Sequence, residues 1–174
     1  MKRQLLALGL FLPLIACTVK KPTSPPPSFL PYTNAELLEQ IQKSNLDVQD
    51  TSRGLIITLP GIFFGFNSAD LEPEARDKVG ALAEILNHPR AARRKVLIEG
   101  HADTVGPGDY NLKLSQERAE EVEQAMIAGR VQKERLHAKG FGESRPIAPN
   151  TNPDGSDNPE GRAQNRRVEV IIQN

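Results

Sequence analysis

The stretch Gly100-His101-Ala102-Asp103-Thr104-Val105-Gly106-Pro107-Gly108-Asp109-Tyr110-Asn111-Leu112-Lys113-Leu114-Ser115-Gln116-Glu117-Arg118-Ala119 decides how this chain is read. Its first half, Gly100 to Asp109, is rich in glycine, contains a proline and reads as a loop. Lys95 to Glu99, just before it, is apolar and β-branched enough for a buried strand. From about Tyr110 the spacing turns helical and runs to Ala128, where Gly129 stops it. A strand, a polar loop and a long helix in direct succession point to an α/β unit with its loop at one end of the sheet.

At 100° per residue, Leu112, Ala119, Val122 and Met126 define the inward face of that helix. Asn111, Ser115 and Arg118 point to the same side from its N-terminal half. Lys113, Gln116, Glu117, Glu120, Glu123 and Gln124 take the other side. An inward-leaning arginine needs an acceptor or a wet pocket, because an unpaired buried charge costs several kcal/mol. The nearest candidate is Asp103. Two arrangements satisfy this pair: a plain Asp103–Arg118 salt bridge, or a clamp for a zwitterion. In the clamp, Asp103 takes an ammonium and the planar guanidinium of Arg118 takes a carboxylate. The physics of the sequence leaves both open.

Working outward, Gly54 to Leu59 is a strand candidate closed by Pro60-Gly61, and Phe63 to Asn67 is a second short extended piece. Pro73 suits the first position of a helix carrying Leu71, Ala75, Val79, Leu82 and Leu86 at steps of three or four, ended by Pro89. Leu136 to Lys139 and Val168 to Ile172 are the last strand candidates. The order β-α-β-α-β-β predicts an α+β sandwich, a mixed sheet with two main helices on one face. The folded domain is expected from residue 46 to 174.

The motifs then resolve the choice left open above. Gly100-His101-Ala102-Asp103, Gly106, Tyr110-Asn111, Leu114-Ser115 and Arg118-Ala119 with Val122 resemble the OmpA-like C-terminal domain, including that of peptidoglycan-associated lipoproteins. Phe64-Gly65-Phe66-Asn67-Ser68 to Leu71, Gly140-Phe141-Gly142-Glu143 with Pro146-Ile147-Ala148, and Gly161-Arg162 with Asn165-Arg166-Arg167-Val168-Glu169 agree in order and spacing. The resemblance spans roughly Gly54 to Gln173. It implies non-covalent binding of the diaminopimelate in the peptidoglycan stem. Asp103 would hold its ammonium and Arg118 its carboxylate, Asn111 and Leu114 would line the pocket, and Phe66-Asn67 would give main-chain contacts. Two positions depart from the family pattern: Ala102 stands where Thr is usual, and Asn67 where many members carry Asp. The arginines of the closing motif are expected to pair with the domain's own carboxylates.

The N-terminal end carries a different signal. Lys2 and Arg3 precede an apolar run from Leu5 to Ala16, the length of a signal-peptide core and too short to span a bilayer. The single cysteine of the chain closes it, and one cysteine cannot form an internal disulfide. Leu14-Ile15-Ala16-Cys17 resembles the lipobox of bacterial lipoproteins, which implies residues 1–16 as a signal peptide and a lipid on Cys17. Thr18, in place of the Asp that marks inner-membrane retention, implies the outer membrane. Several acyl chains would hold firmly, at roughly 0.8 kcal/mol per buried CH₂. Residues 17–45 are expected to form a lipidated start, a Pro-rich tether and a short helix from Asn34 to Ser44. At about 3.1 Å per residue, Thr18 to Pro31 would span roughly 40 Å.

Composition narrows the function further. The 22 basic and 22 acidic residues balance and there is no Trp, so neither charge nor stacking surface points to nucleic acid. The three histidines are far apart and unaccompanied by cysteine, so no metal motif is legible. A Ser115/His101/Asp103 triad has no elbow motif around its serine. Asn150 to Gly155 begins like a calcium loop, but Gly161 occupies the position where a bidentate Glu belongs. The expectation is an outer-membrane lipoprotein, with no enzymatic activity and no cofactor, whose periplasmic domain ties the membrane to peptidoglycan. The second reading is a wall-anchored subunit of a Tol-type, secretion or motility complex, with other envelope proteins as partners.

Overall fold

The computed structural model describes residues 30–65 and 67–174. The signal-peptide segment, Cys17, most of the Pro-rich tether and Phe66 lie outside the described residues. Five strands form one mixed sheet: β1 (Val48–Thr51), β2 (Gly54–Pro60), β3 (Val96–His101), β4 (Leu136–Gly140) and β5 (Arg167–Ile172), in the order β1-β2-β5-β3-β4. Only β3 and β4 run parallel, joined by the long helix as a crossover. The helices are α1 (Asn34–Lys43), α2 (Pro73–Asn87), α3 (Gly108–Ala128) and the short α4 (Pro159–Asn165).

The core follows from strand alternation. Leu55, Ile57 and Leu59 of β2, Val96 and Ile98 of β3, and Val168, Val170 and Ile172 of β5 join one cluster with Val79, Leu82 and Leu86 of α2 and Ala119, Val122 and Met126 of α3. Leu37 and Ile41 of α1 are fully buried in that same cluster, so α1 packs with the domain. Thr33 caps α1 in a capping box with Glu36. The other face of the sheet carries Glu99, His101, Arg167 and Glu169.

Helix α3 lies unusually close to the sheet because two glycines face it. A Cβ on Gly100 would stand 1.9 Å from the Ser115 carbonyl oxygen, and one on Gly140 2.5 Å from the Gln116 nitrogen. Gly100 and Gly140 are partners in the β3–β4 register. The close approach lets Ser115 Oγ accept from Gly142 N at 2.9 Å and Gln116 Oε1 accept from Gly140 N at 2.6 Å.

The mixed sheet and the two main helices agree with the sequence reading, and four details correct it. Residues 48–51 form β1, whose polar pattern concealed a hairpin partner of β2. Among the described residues of the stretch Phe63 to Asn67 there is no strand: residues Gly61–Phe63 form a 3₁₀ turn, and Phe64 makes a single bridge to Leu71. Residues Pro159–Asn165 form α4, too short for periodicity to reveal. On α3, Leu112 is half exposed and Leu114 takes the inward place, while Glu123 is buried against Lys133. The helix is rotated so that its N-terminal half faces a cleft rather than the core.

Candidate functional site

The cleft that α3 faces has a volume of about 640 Å³. Three segments supply its walls: the loop after β3 with Ala102 and Asp103, the first turns of α3 with Asn111, Leu114 and Arg118, and the stretch after β2 with Phe64, Gly65 and Asn67. Arg162 and Arg166, on and just after α4, close the fourth side. Five residues expected to act together therefore meet here: Asp103, Asn111, Leu114, Arg118 and Asn67. Phe66 lies outside the described residues.

Arg118 is buried to 7 % exposure on the inward face of α3. Its Nε donates to the Ser68 carbonyl at 3.0 Å, and its guanidinium lies 5.2 Å from the centre of the Phe64 ring. Its terminal amino groups have no acceptor among the described residues. Burial pushes the Arg118 pKa down, an effect opposed by Tyr110 and Asp103 and reinforced by Arg166. The group stays charged, since a guanidinium does not deprotonate in proteins. It is a cation with unused planar donors beside a cleft.

Asp103 is equally buried, at 6 % exposure. One carboxylate oxygen accepts from Val105 N at 3.0 Å, which turns the loop back on itself. The other accepts from Arg166 Nη1 at 2.6 Å. Of the two arrangements open to Asp103 and Arg118, the direct bridge is absent among the described residues, and Arg166 is the carboxylate's partner. Arg167, next in the chain, pairs with Glu169 at 2.7 Å on the opposite face. Both arginines of the closing motif therefore meet the domain's own carboxylates.

Asn111 fastens the loop. Its side-chain amide donates to the Asp103 carbonyl and to Glu143 Oε2, each at 3.1 Å. Ala102 N donates to the Gly142 carbonyl at 2.9 Å, so the loops after β3 and β4 are joined on both sides of the site. Asn67 holds a left-handed φ of 50°, a conformation asparagine tolerates better than most residues. Tyr110, Val105 and Ile62 form an exposed apolar rim.

The sequence reading missed Phe64, which sits by the Arg118 guanidinium, and the wall formed by Arg162 and Arg166. The closing motif held the signal for both arginines. Its distance from Asp103 in the chain concealed that it returns to the same cleft.

The cleft thus sets one buried carboxylate against three guanidiniums, with backbone donors and an apolar rim around them. Such a site suits a ligand with carboxylate groups and a nearby ammonium.

Similarity to known proteins places the fold. The outer-membrane lipoprotein YfiB of Pseudomonas aeruginosa is 31 % identical over 172 residues, which is 97 % of this chain and 93 % of that protein. Other relatives are longer. The chain spans 63 % of the probable lipoprotein YiaD of Escherichia coli, at 31 % identity over 83 % of this chain. It spans only 18 % of a Gloeobacter violaceus protein named Photosystem I P700 chlorophyll a apoprotein A2, at 37 % identity over 91 % of this chain. Among solved structures, the peptidoglycan-associated lipoprotein from Burkholderia pseudomallei superposes with a TM-score of 0.55 at 28 % identity, over 67 % of this chain and 89 % of that one. The cell wall anchor of the type VI secretion system (T6SS) from Pseudomonas aeruginosa gives a TM-score of 0.61 at 28 % identity, over 84 % of this chain and all of the other. The OmpA family profile matches residues 63–160, over half of the chain and the cleft residues other than Gly61, Ile62, Arg162 and Arg166, and the chain belongs to the OmpA family.

Proposed function

We propose that this chain is an outer-membrane lipoprotein, acylated on Cys17, whose domain binds peptidoglycan without covalent chemistry. The ligand group is the zwitterionic end of diaminopimelate in the stem peptide. The observation that carries this reading is the cleft itself, where the buried Arg118 offers unused donors and Asp103 lies among the facing residues. The ligand carboxylate docks on the Arg118 fork, and its ammonium takes up the carboxylate that Arg166 now holds. Asn111 and Leu114 shape the pocket, Asn67 lines the opposite lip, and the Phe66-Asn67 segment contributes main-chain contacts to the ligand. Relatives named as a peptidoglycan-associated lipoprotein and an outer-membrane lipoprotein support the reading.

Co-sedimentation of the full chain, in mild detergent, with purified sacculi tests this. Asp103→Ala and Arg118→Ala, each still folded, should each weaken pelleting at least about tenfold, the usual cost of removing one partner of a buried charge pair. Free diaminopimelate should compete, whereas Nα-acetyl-lysine amide, which keeps the side-chain ammonium but carries no carboxylate, should not. If both variants pellet like the wild type, the clamp is wrong. Release of soluble muropeptides is not expected. Cys17→Ser should abolish metabolic labelling by palmitate, and persistent labelling would refute acylation there.

A second reading has one observation in its favour, the likeness to the wall anchor of a secretion system. In that case wall binding fixes a larger envelope complex in place. Recovery of a stable stoichiometric partner on cross-linking in cells would favour it.

A further inference from the structure

The sheet face turned away from the helices carries a second cluster that the cleft does not use. Glu99 and Glu169 stand directly opposite each other on β3 and β5, as do His101 and Arg167 at the next pair on the same sheet face. Two like charges so placed destabilise a sheet unless a cation joins them. Arg53, at the β1–β2 turn, does this: it reaches Glu99 at 2.6 Å and Glu169 at 3.6 Å. Arg145 approaches the second Glu99 oxygen at 3.4 Å, and Arg167 holds Glu169 Oε1 at 2.7 Å.

His101 sits beside the two carboxylates and is 1 % exposed, yet neither of its ring nitrogens has a hydrogen-bond partner among the described residues. Buried polar atoms are paired in the great majority of cases, so an orphaned imidazole calls for an explanation. Phe141 stacks on it with ring centres 5.7 Å apart, which fixes the ring without satisfying either nitrogen. One His101 nitrogen and one oxygen from each glutamate all lie within 4.8 Å of one another.

We propose that Glu99, His101 and Glu169 form a binding site for a first-row divalent metal ion of the Zn²⁺ type, with Arg53 as the competing cation. Imidazole with carboxylates is a donor set that such ions accept, at about 2.0–2.2 Å from metal to ligand. The glutamates need to close in by roughly an ångström, within reach of a side-chain rotation. Neither ring nitrogen of His101 is engaged among the described residues, so a lone pair is available to a metal ion. Arg53 and Arg145 have half-exposed side chains and can withdraw into water, while the buried Arg167 stays and orients Glu169. The three arginines oppose an incoming cation, and that opposition makes Arg53 the decisive residue.

The full, untagged chain, stripped by a chelator, is titrated with Zn²⁺ against a chromophoric competitor, and with Co²⁺ for visible ligand-field absorption. One ion per chain is expected. Affinity should fall by about tenfold or more in Glu99→Gln and in His101→Asn, with loss of the Co²⁺ bands in the latter. Arg53→Gln, a substitution at an exposed turn, should strengthen binding by about tenfold, because it removes the competitor. No uptake by the wild type, or binding retained in His101→Asn but lost when His88 and His137 are replaced, overturns the proposal. Should His101→Asn not fold, an unchanged Zn²⁺ affinity in Arg53→Gln overturns it as well.

Discussion

Arg118 and Arg135 are both buried guanidiniums whose pKa values are pushed down by desolvation, and they differ in what their forks touch. Arg135 donates to the carbonyls of Leu86, Ala91 and Arg94, at 3.0, 3.0 and 2.9 Å, and so ties down the end of α2 and the turn after it. Every branch of its fork is used within the protein. Arg118 spends one branch on Ser68 and turns the rest toward the cleft. Arg135→Ala should therefore lower the free energy of unfolding in urea by roughly 3 kcal/mol, since it leaves buried carbonyls unpaired. The surviving folded molecules should still pellet with sacculi. Arg118→Ala should show the reverse balance, a larger effect on pelleting than on stability. At this scale the sequence pointed to Asp103 and Arg118, and both line one cleft. It left a direct bridge between them open and did not find that Asp103 has Arg166, because the choice among several arginines depends on which strand brings them near.

Among elements, the decisive contact is α3 lying on the paired glycines of β3 and β4. Gly100→Ala would place a methyl carbon against the Ser115 carbonyl, and backbone cannot give way as a flexible side chain can. Its unfolding free energy should drop by roughly 3 kcal/mol or more. The cleft should also loosen, because Asn111, Leu114 and Arg118 ride on the same helix turns. Normal stability in Gly100→Ala would show that the close approach is not required. Helix α1 offers a pH test. The Thr33 backbone N–H, with Arg90 next and the Thr33 hydroxyl after it, holds the Glu36 pKa at about 2, below its ordinary 4.5. A depressed carboxylate pKa adds stability in full above pH 4.5 and loses it as pH falls toward 2. Helicity followed through that window should decline in the wild type, and Glu36→Gln should flatten that part of the curve. The two long helices were legible because their apolar residues recur over four turns or more. Strand β1 and helix α4 were not, because four and seven residues carry too little periodic signal.

At the scale of the whole molecule, α1 decides how large the cooperative unit is. Leu37 and Ile41 are fully buried in the common core, and Tyr32 N donates to the Arg90 carbonyl at 3.0 Å. Arg94 bonds the carbonyls of both Tyr32 and Gln173, so the two ends of the described domain meet at one side chain. Ile41→Ala should cost about 2–4 kcal/mol in a single unfolding transition shared by all probes. A separate early transition for α1 would show that it docks independently. The sequence by itself determined the sheet-and-helix class, the long helix with its polar N-terminal half, and the loop that carries Asp103. Those features are written in neighbouring residues, through periodicity, turn chemistry and motif spacing. The tertiary structure alone decided that Arg166 holds Asp103 and that Phe64 sits by Arg118. It also decided that α3 turns Leu112 outward, and that Glu99, His101 and Glu169 meet beneath the sheet. These depend on strand order and register, which join residues far apart in the chain and leave no trace in local pattern.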